Sequence, residues 1–144
     1  MLFERSAGAV IFRRRNTKVE YLLLHYPSGH WDFVKGNIER GEDELETLRR
    51  EAFEEAGIKD LRIINGFRER IEYYYRREKT LVHKEVVFHL AETKQSEVRL
   101  SEEHLDAKWL TYRDAVEKLT YSNAKNLLRK ANKLIEEKLG DQPG

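Results

Sequence analysis

The stretch that decides the fold reads Gly36-Asn-Ile-Glu-Arg-Gly-Glu42 and resumes as Arg50-Glu-Ala-Phe-Glu-Glu-Ala-Gly-Ile58. Between Glu42 and Gly57, apolar residues recur at helical spacing, at Leu45, Leu48, Ala52 and Ala56. This period predicts a helix from Asp43 to Ala56 that buries one face. Gly57 is expected to end the helix, because glycine readily adopts the left-handed conformation found just after a helix.

Three glutamates of this predicted helix, Glu51, Glu54 and Glu55, fall on one arc of its surface, because each residue turns a helix by about 100°. Like charges at this spacing repel one another. Either solvent screens such an acidic face, or a cation compensates it. Arg50 could pair with a neighbouring carboxylate. Oxygen ligands without Cys or His suit a hard cation, Mg²⁺ or Mn²⁺, rather than zinc.

The fixed positions of this stretch resemble the complete box of the Nudix hydrolases. They are Gly36, five residues, Glu42, seven residues, Arg50-Glu51, an aliphatic residue, any residue, Glu54-Glu55, any residue, Gly57 and an aliphatic residue. The resemblance implies an α/β fold, the family's αβα sandwich, in which helices flank a mixed β-sheet and the box forms a loop-helix-loop at about 36–58. It also implies hydrolysis of a nucleoside diphosphate linked to another moiety.

The remaining chain fits this architecture. Apolar and alternating runs predict strands at 6–12, 19–25, 61–75, 81–91 and 106–111, with a bend or bulge at Gly66. Helices are expected over 112–119, with Thr111 as N-cap, and over 123–139. The polar segment 92–101 is predicted to be an exposed loop, and residues 141–144 a frayed tail. Helices should therefore cover both faces of the sheet.

Composition narrows the possible functions. A chain of 144 residues is expected to form one domain with a substantial core. Its formal net charge is only +1, although 37% of its residues are charged, so no stable nucleic-acid partner is expected. The absence of cysteine excludes disulfides and thiolate metal sites. No apolar run has the length of a membrane span, so we expect a cytoplasmic protein. We also expect a monomer or weak dimer.

The resemblance also implies roles for individual residues. Magnesium, with manganese as an alternative, would be held by Glu51, Glu54, Glu55 and the carbonyl of Gly36. An acidic residue from a later loop usually joins such sites, and Glu103 is the first choice here, with Glu102 second. Arg50 would brace the carboxylates. The catalytic base stays open among Glu54, Glu55 and Glu103.

Segments outside the box resemble one branch of the family, the asymmetrical diadenosine tetraphosphate hydrolases. These segments are His30-Trp31, Lys35-Gly36, Gly66-Phe67, Leu90-Ala-Glu92 and Arg99-Leu-Ser101 with Glu103-His104. On this reading Tyr73 stacks on an adenine, while His30, Lys35 and Lys84 contact phosphates. Water would attack one end of the tetraphosphate and give ATP and AMP.

Two other classes of function are compatible with the sequence. Another Nudix pyrophosphohydrolase, acting on RNA 5′ ends, ADP-ribose, oxidised nucleotides or diphosphoinositol phosphates, would keep the carboxylates and change only the ring and phosphate contacts. A noncatalytic nucleotide-binding module would not need Glu51, Glu54 and Glu55 together. Tyrosines on a half-buried strand, such as Tyr73, are also often simple packing residues.

Overall fold

A seven-stranded mixed sheet forms the centre of the structure, a computed structural model that describes residues 1–140. The strands are β1 (Leu2–Arg15), β2 (Lys18–His25), β3 (Trp31–Asp32), β4 (Val34–Asn37), β5 (Arg62–Arg77), β6 (Thr80–Glu92) and β7 (Asp106–Thr111). Their order is β3-β2-β1-β6-β5, while β4 pairs with β1 and β7 with β2. Only β1 and β6 run parallel, so the sheet is mixed, as predicted.

Three α-helices cover the sheet on its two faces. They are α1 (Glu44–Ala56), α2 (Tyr112–Lys118) and α3 (Ser122–Ile135), and α3 continues into a π-helical turn, Glu136–Gly140. Helix α1 packs on one face, and α2 and α3 pack on the other. The predicted αβα arrangement is confirmed. The predicted tail, 141–144, lies outside the described residues.

Strand β1 separates two hydrophobic cores because its side chains alternate between the two faces. Val10 and Phe12 enter the core beneath α2 and α3, whereas Ala9 and Ile11 enter the core beneath α1. All four residues are almost completely buried. None of the helices within residues 1–140 combines the length and the apolar composition needed to cross a membrane.

Helix α1 begins and ends at the residues that its sequence predicts. Asp43 is the N-cap: its side chain accepts a hydrogen bond from the backbone N–H of Glu46, and the Glu46 side chain accepts one in return. Gly57 has a φ of 67° and donates its N–H to the carbonyls of Ala52 and Phe53. These interactions satisfy backbone groups that a helix otherwise leaves unpaired at its ends.

One part of the predicted apolar stripe is wrong. Leu45 is 37% exposed, whereas Leu48, Ala52 and Ala56 are fully buried. In the first turn it is Glu44 that reaches the sheet, where it contacts Arg68 of β5 and His89 of β6. The face of α1 that meets the sheet therefore follows positions 44, 48, 52 and 56.

The segment after β6 matches the exposed loop expected at 92–101 except at its first two residues. Glu92 is the last residue of β6 and is 5% exposed, and Thr93 is buried. The segment then follows the C-terminal end of α1, where Arg99 donates its backbone N–H to Ala56 and Ser101 donates to Glu55. Residues 94–101 are therefore irregular and at least partly exposed, but their backbone is anchored because it satisfies carbonyl groups that α1 cannot satisfy itself.

Candidate active site

The three glutamates of α1 lie in different environments. Glu55 is 7% exposed, and Glu51 is also largely shielded from solvent. Glu54, in contrast, has 55% of its side chain exposed. Burial raises the pKa of Glu51 and, with the neighbouring Glu51 charge as the second cause, raises the pKa of Glu55 to about 8. Two of the predicted ligands thus form a buried pair at the edge of α1, and the third faces solvent beside them.

Arg50 provides the positive charge that the acidic cluster requires in this structure. Its guanidinium donates to Glu42 at 2.6 Å, to Glu51 at 2.7 Å and to Glu54 at 3.1 Å. It also donates to the backbone carbonyl of Asn37, 3.0 Å away. The arginine therefore ties the loop before α1 to the carboxylates on the helix.

Glu55 is held from two directions. Its Oε1 accepts the backbone N–H of Lys35 in β4 at 3.0 Å. Its Oε2 lies 2.9 Å from Nε2 of His104, which belongs to the segment between β6 and β7 that packs against the end of α1. Neither neighbour brings a permanent positive charge to the carboxylate, which is why burial dominates its pKa.

Gly36 in β4 lies against the Glu51 carboxylate. A Cβ at this position would be 2.0 Å from the carboxyl carbon of Glu51, so only glycine permits this approach. The Gly36 carbonyl and the nearby carboxylates offer oxygen donors only, which is the chemistry that hard divalent cations prefer. These residues fit a magnesium or manganese ion in the chemistry of their donors.

The described part of the chain does not present a ready cage of three acidic or histidine side chains. One reason is that Glu54 is held by Arg50. A second is that Glu103 is exposed on its loop and forms no ion pair within residues 1–140. Glu103, the predicted additional ligand, therefore does not form a three-residue cluster with Glu51 and Glu55 in the described part of the chain.

A cavity of about 460 Å³ lies on the opposite face of the sheet, beside α3. Its lining residues are His30, Asp32, Lys35, Ile71, Tyr73, Tyr75, Val86, Phe88, Tyr121, Ser122, Asn123 and Ala124. Three of the four predicted substrate-binding residues, His30, Lys35 and Tyr73, thus share one cavity. The fourth, Lys84, does not line it and instead donates to Asn37 Oδ1 at 3.2 Å.

Lys35 is the cationic centre of this cavity. Its Nζ donates to Asp32 at 2.9 Å and lies 5.9 Å from the centre of the Tyr73 ring. Burial is the largest single influence and lowers the pKa of Lys35, but Asp32, Tyr73 and Glu55 together raise the pKa overall. The ammonium group therefore stays charged next to an aromatic wall.

Two residues of the site have no role in the sequence-based prediction. Tyr121 lines the cavity, and its ring lies 5.3 Å from that of His30. Its position before α3 gives no local pattern that would identify it. His104, beside Glu55, belongs to a segment that resembles the diadenosine tetraphosphate hydrolases, so that resemblance is the signal by which it could have been found.

Comparisons with known proteins give the same assignment across most of the chain. The model of the NUDIX domain matches residues 2–131. A Sus scrofa protein named bis(5′-nucleosyl)-tetraphosphatase [asymmetrical] is 39% identical over 91% of this chain and 95% of its own length. The crystal structure of a Caenorhabditis elegans Ap4A hydrolase binary complex superposes with a TM-score of 0.82 and 34% identity over 93% of this chain and 98% of that one.

A more distant structural neighbour shows the fold alone. The NUDIX domain of Shewanella oneidensis NrtR, solved with ADP ribose, has a TM-score of 0.72 at 16% identity and covers 94% of this chain and 90% of its own. The family match, the close relatives and the filled box agree with one another. The chain therefore belongs to the Nudix hydrolase family.

Proposed function

We propose that this chain, as one Nudix domain over residues 1–144, is a magnesium-dependent hydrolase that converts diadenosine tetraphosphate to ATP and AMP. One observation carries the proposal: β4 places Lys35 in the aromatic cavity and Gly36, the next residue, against Glu51 on the other face. A nucleoside in the cavity would thus have its phosphates directed to the carboxylates. The names of the relatives from Sus scrofa and C. elegans support the choice of substrate.

The metal ligands in this proposal are Glu51, Glu54, Glu55, Glu103 and the carbonyl of Gly36. Nudix hydrolases generally use divalent metals. A bound Mg²⁺ would neutralise phosphate oxygens and lower the pKa of a bound water. The side chain of Arg50 keeps Glu51 and Glu54 in place, and the base is one of Glu54, Glu55 and Glu103.

The substrate contacts follow from charge and shape. Lys35 and His30 line the cavity and would contact the phosphates there. Lys84, which lies outside the cavity lining and donates to Asn37, would add a further cationic group. Such groups stabilise charge on the transferring phosphoryl oxygens. Tyr73 and Tyr121 offer ring faces to an adenine inside the cavity.

The decisive experiment compares substrates with the purified protein. Diadenosine tetraphosphate, ADP-ribose and triphosphorylated RNA are each incubated with Mg²⁺, with Mn²⁺ and with a chelator, and products are separated by chromatography. We expect fastest cleavage of diadenosine tetraphosphate, equal amounts of ATP and AMP, and no reaction with chelator. Two molecules of ADP per substrate would rule out the asymmetrical cut, and preference for either other compound would assign a different Nudix activity.

Two consecutive tyrosines provide a matched test of the base-binding cavity. Tyr73 lines the cavity, whereas Tyr74 is 58% exposed and stacks on His83 on the other face of β5. Loss of base stacking typically costs about 1–3 kcal/mol. Tyr73→Ala should therefore raise KM for diadenosine tetraphosphate roughly 5- to 100-fold. Tyr74→Ala should leave KM unchanged, and equal effects of the two variants would contradict the role of Tyr73.

A further inference from the structure

His104 is a buried histidine that lies directly against the Glu55 carboxylate. Only 4% of its side chain is exposed, and its Nε2 atom is 2.9 Å from Glu55 Oε2. That nitrogen is shielded from solvent, yet its geometry completes no well-aligned hydrogen bond with any residue in the range 1–140. Because buried polar atoms are nearly always paired in folded proteins, the Glu55 carboxylate at this distance is the partner expected for this nitrogen.

The ring of His104 is fixed by its surroundings. Its Nδ1 atom is 2.7 Å from the hydroxyl of Ser101, and the ring of Tyr26 packs edge-on against it, 4.7 Å between centres. When the Ser101 hydroxyl donates to Nδ1, a neutral imidazole carries its proton on Nε2. The Glu55 carboxylate, 2.9 Å from Nε2, is then the group within hydrogen-bonding distance of this proton.

The two oxygens of Glu55 are controlled by different parts of the fold. The backbone N–H of Lys35 in β4 holds Oε1, and His104 faces Oε2. The segment that carries His104 is itself fixed to the same residue, because Ser101 donates its backbone N–H to the Glu55 carbonyl. The position of His104 is thus set relative to Glu55 and not only relative to the sheet.

We propose that His104 is a positioning residue, which donates from Nε2 to Oε2 of Glu55 and so fixes the direction of the carboxylate, with Ser101 fixing the imidazole. The inference rests on the proposed function, since it takes Glu55 to be a metal ligand. Groups that orient a metal ligand from behind typically change metal affinity or activity about 10- to 100-fold when they are removed.

The chain contains a matched control for this contact. His89 is also shielded, and its Nε2 lies 2.7 Å from another glutamate of α1, Glu44, at the opposite end of the helix. His89→Leu and His104→Leu therefore remove the same type of pair from the same helix. His104→Gln is the conservative variant, because its side-chain amide can still donate toward Glu55.

Binding of Mn²⁺ without nucleotide, measured by calorimetry, tests the inference independently of turnover. We expect His104→Leu to weaken Mn²⁺ binding about 10- to 100-fold, and His104→Gln to restore most of the affinity. Ser101→Ala should weaken it about 2- to 10-fold, the effect of one lost hydrogen bond. His89→Leu should bind Mn²⁺ as the wild type does. Circular dichroism checks that each variant is folded.

Glu55→Gln separates failure of this inference from failure of the proposed function. If Glu55→Gln binds Mn²⁺ as tightly as the wild type, Glu55 is not a ligand and the proposed metal site is overturned. If Glu55→Gln binds weakly but His104→Leu binds normally, only the positioning role is overturned. Should His104→Leu fail to fold, Ser101→Ala decides, and unchanged Mn²⁺ affinity in that variant overturns the inference.

Discussion

At the N-terminal end of α1, Glu44 accepts two hydrogen bonds from Arg68 and lies 2.7 Å from His89. At the C-terminal end, Glu55 is more deeply buried and faces a backbone N–H and His104. The hydrogen bond from Arg68 is the main cause that lowers the pKa of Glu44 to about 2, whereas burial raises the pKa of Glu55 to about 8.

The difference separates the carboxylate that we propose as a metal ligand, Glu55, from a carboxylate with a structural partner on the same helix, Glu44. The fold provides Glu44 with a cation, so its charge is already compensated. At Glu55 the charge of Lys35 has a smaller effect than burial and the like charge of Glu51, which both make the ionised form less favourable. A charge that the protein buries without compensating it is a characteristic of sites that bind a cation or transfer a proton.

The largest expected effect comes from exchanging each glutamate for glutamine. Glu55→Gln should lower kcat for diadenosine tetraphosphate roughly 10²- to 10³-fold, because the variant loses several kcal/mol of metal-dependent stabilisation. Glu44→Gln should stay within about threefold of the wild type, since it only removes a structural ion pair. Steady-state assays with saturating Mg²⁺ measure both values.

The folded state of Glu55→Gln serves as the control. In a chelating buffer this variant should melt no lower than the wild type, because a neutral amide relieves the burial of a charge next to Glu51. A folded Glu55→Gln protein with nearly normal turnover would make the two ends of α1 functionally equivalent and would remove Glu55 from the site.

Arg50 lies between the two ends of α1, where it binds Glu42 before the helix and Glu51 within it. Arg50→Gln should lower kcat about 10- to 100-fold, because the carboxylates lose the group that orients them. Arg49→Gln is the control, since Arg49 donates to the Leu61 carbonyl and not to the acidic cluster. Equal activity of the two variants would show that the carboxylates need no brace.

The smallest effect concerns stability at the N-terminal end. Glu44→Gln should reduce the free energy of unfolding by about 1 kcal/mol and the Tm by about 2–4 °C. Because the folded pKa of Glu44 is lowered from 4.5 to about 2, its contribution is present above pH 4.5 and is lost as the pH falls toward 2. Urea unfolding between pH 6 and pH 2 measures the free energies of unfolding of wild type and variant. The difference between them should shrink as the pH falls, whereas a constant difference would exclude the ion pair.

The sequence predicts the parts of the site that depend on neighbours along the chain. The helix range 43–56, its end at Gly57 and the arc of Glu51, Glu54 and Glu55 all follow from spacing within one helix. The structure has the helix at Glu44–Ala56 with Gly57 after its last turn, which confirms the range to within one residue. Arg50 and the glutamates also meet locally. Short-range geometry of this kind is largely fixed by the period of the helix.

Contacts between distant segments could not be obtained in the same way. Tyr121 meets His30 although the two are 91 residues apart in the sequence. His104 meets Glu55 only because the segment after β6 returns to the end of α1. A polar composition predicts exposure for that segment, but its backbone N–H groups satisfy α1 carbonyls. Exposure of Leu45 likewise depends on how α1 lies on the sheet, which periodicity alone does not determine.

The alternation along β4 has a consequence for how this scaffold can diversify. Lys35 and Gly36 are adjacent in the chain but face different layers, so the groups that we propose to bind the substrate and the groups that we propose to cleave it lie beside separately packed cores. Mutations can reshape the cavity beside α3 without disturbing the packing of α1. Substitutions that alter substrate choice are therefore expected among the cavity residues, and substitutions that alter hydrolysis among the residues beside α1.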